Sequence, residues 1–146
     1  MRETKINKPS VFVINMPGFQ EAYSAVTTIE VSGTILNVCS LEGLVLLKLI
    51  AHDDRTSRTK DISDIEHIVN AYFDLTDETI YTEYDPVLEL YDTENRNYLQ
   101  LVSANVIGRK IKALLVNSAN LKARLEAILR KRPTELWEAM LSGFLK

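Results

Sequence analysis

The chain has 146 residues, of which 46% are hydrophobic and 25% charged, and its formal net charge is −3. That length predicts one domain, burying roughly 68–70% of its unfolded surface, and the composition excludes a disordered chain. A single cysteine, Cys39, excludes an internal disulfide and fits a reducing compartment, while the anionic balance disfavours nucleic acid and acidic lipid as partners.

Residues 1–9 are polar and lack the apolar core of a signal peptide, so they read as a loose leader. Residues 11–14 are β-branched and aromatic and predict a short strand. Leader and strand occupy 1–15, ahead of a single domain over 16–146. Met16-Pro17-Gly18-Phe19 is turn punctuation, and 20–26 suits one or two helical turns. Two β-rich runs, 27–31 and 34–39, flank Ser32-Gly33, which predicts a hairpin. An isolated hairpin is marginal and leaves open edges. Those edges predict a second copy, or a missing N-terminal half, as the partner.

From Ser40 the pattern is helical. Ser40 suits the N-cap of a helix to about His52, apolar on nearly every side. This stretch is broken by Glu42 and Lys48 and is too short to span a bilayer, so a cytoplasmic protein without membrane contact is expected. Residues 53–60 are charged and predict an exposed loop. A second helix is expected from Asp61, with Ile62, Ile65, Ile68, Val69, Tyr72 and Phe73 as its stripe. A third is expected within 77–91, restarting at Asp85-Pro86. A fourth spans about 95–116, with Gly108 set for close packing. A fifth over 119–131 stops at Pro133, and a sixth covers 135–145. The expected class is therefore α+β, mainly α, with an N-terminal hairpin or small antiparallel sheet over about 11–39 and a bundle of five to six helices. Within the domain, 16–39 form the hairpin region, 40–75 a helix pair and 76–146 a helical tail.

The densest polar constellation lies on the helix pair. Lys48 is the one cation on an apolar helix and needs either a partner or a route to water. Asp61 and Asp64 are three apart and share a helical face. Two readings stand side by side. Lys48 pairs with one of these carboxylates and ties the helices together, or the group lines a cleft that meets a phosphate. His52 and His67 have no companion at zinc spacing. Cys39 has no evident activating base. Glu83-x-Asp85 and Asp92-x-Glu94 converge only on a strand, and neither lies in one, so both read as solvated charge. Lys122, Arg124, Arg130, Lys131 and Arg132 read as an answer to a helix C-terminal dipole.

The run Pro17-Gly18-Phe19-Gln20-Glu21-Ala22, the hairpin, Leu47-Lys48-Leu49-Ile50-Ala51, Asp54-Arg55 and Lys60-Asp61-x-x-Asp64-Ile65 together resemble bacterial nucleotidyltransferases of the AbiEii-like kind. The stretch 101–109 resembles their helical tail. The resemblance implies that Lys48, Arg55, Lys60, Asp61 and Asp64 belong near a nucleotide pocket. It also implies a toxin–antitoxin setting and nucleotidyl transfer from an NTP with Mg²⁺ where the family's full site exists. The Gly-Ser turn and strand-borne Asp-x-Asp pair that bridge two metals are absent from this sequence. The expectation is a truncated, catalytically silent relative that keeps part of a nucleotide cleft. The alternative is a stand-alone interaction or antitoxin-like subunit.

Overall fold

The computed structural model describes residues 27–31, 34–38 and 40–146. Strands β1 (Thr27–Val31) and β2 (Thr34–Val38) pair antiparallel, with Thr27 opposite Val38 and Val31 opposite Thr34. The expectations for 1–26, for the turn at 32–33 and for Cys39 lie outside the described residues.

Five α-helices follow: α1 (Leu41–Asp54), α2 (Thr59–Glu83), α3 (Tyr98–Leu114), α4 (Ala119–Arg130) and α5 (Glu135–Phe144). A 3-10 helix, Asp85–Glu89, sits between α2 and α3. The α+β expectation is thereby corrected: the described fold is mainly helical, and no strand occurs in 40–146. The physical reason is that the helices enclose one another. A two-stranded ladder offers too little surface to form a layer of its own.

Ser40 caps α1 as its position predicts, its Oγ accepting from the Gly43 N–H at 3.1 Å. The expected break near residue 76 does not exist. No Gly or Pro interrupts 74–79, and the stripe of Ile62, Ile65, Val69 and Tyr72 continues to Ile80, so α2 runs for 25 residues. It ends where Pro86 disfavours helical geometry at the residue before it. Instead of a third long helix, Pro86 opens the short 3-10 turn.

Helix α3 is the centre of the molecule. Every residue from Leu101 to Gly108 is buried, and α1, α2 and α5 pack around it. Its closest neighbour is α5. A Cβ on Gly108 would collide with the Met140 carbonyl oxygen, and one on Gly143 would collide with the Asn105 carbonyl oxygen. The two glycines thus let the α3 and α5 backbones touch in both directions. Thr134 caps α5 through its Oγ1, 3.3 Å from the Trp137 N–H, and places Trp137 against the core.

Candidate functional site

The end of α1 and the start of α2 carry a closed ion-pair network. The Lys48 ammonium donates to Asp64 Oδ2 at 2.7 Å and lies 3.8 Å from Asp61 Oδ1. Asp61, whose side chain is 1% exposed, accepts from Arg58 Nε at 3.0 Å and Nη2 at 3.2 Å. Lys60 reaches both oxygens of Asp64 at 3.0 and 3.2 Å, one helical turn away. Each carboxylate thus faces two cations across the α1–α2 seam. Of the five residues the resemblance assigns, Lys48, Lys60, Asp61 and Asp64 come together. Arg55 stands exposed in the connecting loop and joins none of the ion pairs among the described residues.

None of these five residues lines any of the five main clefts of the described surface. The neighbouring positions do. A cleft of about 600 Å³ opens between the α1–α2 junction and the α4–α5 junction, walled by His52, Thr59, Ser63, Lys131, Arg132 and Trp137 among others. Its rim is stitched by charge: Lys131 donates to Asp53 at 2.6 Å, and Arg124 reaches Asp53 at 3.1 Å and Asp54 at 2.7 Å. Adjacent Asp53 and Asp54 therefore share one guanidinium. The expected loop begins later than its charge pattern suggests, because α1 continues through Asp54. The basic cluster of 122–132 is likewise divided. Arg124 and Lys131 bind Asp53, Arg130 pairs with Glu126 at 2.9 Å, and Arg132 lies 5.6 Å over the Trp137 ring. Lys122 lines a different cleft, at the other end of α4.

The cations hold their carboxylates ionised. Hydrogen bonds from Lys48, then Lys60, lower the Asp64 pKa from 3.8 to about 2. The Lys131 hydrogen bond, aided by Arg124 and opposed by burial, holds Asp53 below its ordinary value. A carboxylate with a lowered folded pKa contributes stability above its unfolded pKa and loses it as pH falls through the folded one. Thermal melts should therefore show the midpoint falling between about pH 4 and pH 2, and Asp64→Asn should flatten that fall. A slope unchanged by Asp64→Asn would place the acid sensitivity elsewhere.

The Mg²⁺ that the family site would hold does not fit the carboxylates present. Both oxygens of Asp61 and of Asp64 already accept from Arg58, Lys48 and Lys60, so an ion there would face three ammonium or guanidinium groups at contact distance. No group of three or more His, Cys, Asp or Glu among the described residues is placed to hold a metal. No helix among them is long and apolar enough to cross a membrane. Two features escaped the sequence pattern. Arg132 and Trp137 meet across Pro133, and a buried Asn105 links Tyr91 to Arg109. Polar Asn105 inside an apolar helix was the one readable signal.

Comparison of the chain with protein-family models, with curated proteins and with solved structures finds no match.

Proposed function

We propose that this chain is a catalytically silent, nucleotidyltransferase-like helical module that binds a nucleotide in the cleft beside the Lys48–Asp61–Asp64 seam. The observation that carries the reading is the position of that cleft. It opens at the N-terminal end of α2, where Thr59 and Ser63 line it and the helix dipole favours a phosphate. Arg132, free of any carboxylate partner among the described residues, stands on the opposite wall. Lys131 is neutralised by Asp53, and Glu66 also lines the cleft, so Arg132 is the cation left to meet an anion in a nearly neutral site.

Calorimetry with ATP and GTP, with and without Mg²⁺, tests it. A nearly neutral cleft predicts weak binding, with Kd on the order of 0.1–1 mM, and Arg132→Ala should weaken it about tenfold. Labelled NTPs should give no transfer to acceptors. Absence of heat with both nucleotides removes the binding claim, and robust label transfer removes the silence.

A second reading, an interaction or antitoxin-like subunit, draws on the β1–β2 ladder, whose outer edges carry no further strand among the described residues. Light scattering on the eluting protein separates the two. A stable dimer, or a stoichiometric complex with a second chain, supports the subunit, and a strict monomer supports the free-standing binding module.

A further inference from the structure

At the end of α4 and α5 opposite the first cleft, a second cleft of about 330 Å³ has an unusual charge pattern. Arg109 and Lys112 of α3, Lys122 of α4 and Lys146 line it, with Tyr84 as one wall and Gly143 in the lining. No Asp or Glu among the described residues lines it, although Glu126 lines an adjoining cleft that shares Lys112 and Lys122. Glu83 and Glu42 act at Tyr84, where burial is the larger cause of its raised phenol pKa and Arg109 opposes them. Glu126, one helical turn beyond Lys122, is bonded to Arg130 at 2.9 Å.

Helix dipoles account for only part of this. Lys112 sits in the last turn of α3, where a cation is favoured. Lys122 does not fit that account, because it lies in the first turn of α4, where the dipole repels it. Four cationic side chains share one cleft whose lining holds no Asp or Glu, and such local conflict is a common mark of a binding site.

Arg109 supplies the geometry. Its Nε donates to Asn105 Oδ1 at 2.8 Å, and the Asn105 amide donates to the Tyr91 hydroxyl at 3.1 Å. Asn105 is fully buried. The guanidinium is therefore held from behind through Nε, and its Nη groups join no ion pair among the described residues. Such an anchored fork suits a planar or tetrahedral oxyanion.

We propose that this second cleft binds a small phosphoryl-bearing anion of the pyrophosphate class, clamped by Arg109, Lys112 and Lys122. Such a ligand offers oxygens to all three cations and relieves their repulsion. The cleft is distinct from the one assigned to nucleotide above, and the two claims fail separately.

The test is calorimetry of the full chain with pyrophosphate at low salt, repeated at higher salt and on Lys112→Gln/Lys122→Gln. Binding by the wild type that weakens with salt, and weakens about tenfold or more in the double variant, is expected. Both lysines are partly exposed, so the far-UV circular dichroism spectrum should be unchanged. Arg109→Lys keeps the charge but loses the fork, and should weaken binding with the fold intact. No pyrophosphate binding by the wild type at low salt overturns the proposal. So does affinity unchanged in the double variant, or adenosine binding as tightly as pyrophosphate. ATP affinity weakened in Arg132→Ala, with pyrophosphate affinity kept there and weakened in the double variant, supports two separate sites.

Discussion

Gly143→Ala is expected to lower the thermal midpoint by roughly 4–8 °C, a net loss of about 2 kcal/mol. Helix propensity alone predicts the opposite sign, because alanine is better than glycine in a helix interior by about 1 kcal/mol. The contact decides the matter. The new methyl would drive into the Asn105 carbonyl oxygen, which is backbone and cannot turn aside as a side chain would. Relieving it requires α5 to slide off α3, at about 3 kcal/mol, the upper part of the overpacking range. Gly108→Ala should behave alike, against the Met140 carbonyl. The double variant should cost less than the sum, since one displacement of α5 relieves both collisions. Ser142→Ala, on the exposed face of the same helix, should stay within about 0.5 kcal/mol. A Gly143→Ala protein as stable as the parent would refute the close backbone approach.

Lys48→Met is the second large effect. The change removes the cation that joins Asp64 and Asp61 across the α1–α2 seam, while methionine retains most of the apolar stem. Exposed pairs contribute about 0–1 kcal/mol, and breaking a buried pair costs about 3–5 kcal/mol. Lys48 is 26% exposed and Asp61 1% exposed, so the expected loss falls between, at about 2 kcal/mol. Asp61 keeps Arg58 and Asp64 keeps Lys60, which is why the cost stays below the buried limit. Chemical denaturation measures it. ATP affinity should not change, since Lys48 does not line the cleft assigned to the nucleotide. Lost affinity with unchanged stability would make Lys48 a ligand contact and end its reading as a strut.

Much of the helical layout was legible because it follows from local rules. Ser40 caps α1, Pro133 and Thr134 separate α4 from α5, and Gly108 marks a close approach. The pairing of Lys48 with Asp61 and Asp64 was legible too, as one of two readings. A lone cation on an apolar helix has few alternatives to a carboxylate on its neighbour. The break assumed near residue 76 misled, because polar residues alone do not stop a helix whose apolar stripe continues to Ile80. The class was misjudged for a related reason. Strand-like residues argued for a sheet layer, but a layer needs more than two strands to enclose a core.

Sequence by itself determined where α1 starts and where α4 gives way to α5, which faces are apolar, and that Lys48 must be compensated. These are consequences of spacing, capping and desolvation within a few turns of chain. Tertiary structure alone decided that Asp53 and Asp54 share Arg124, and that Arg132 and Trp137 wall one cleft while Arg109, Lys112 and Lys122 wall another. Those residues are brought together by how α3, α4 and α5 cross, and the crossing depends on backbone contact at two glycines. A basic run at 122–132 reads as one patch along the chain. A helix of 12 residues, about 18 Å long, is enough to place its two ends in separate clefts with different electrostatics.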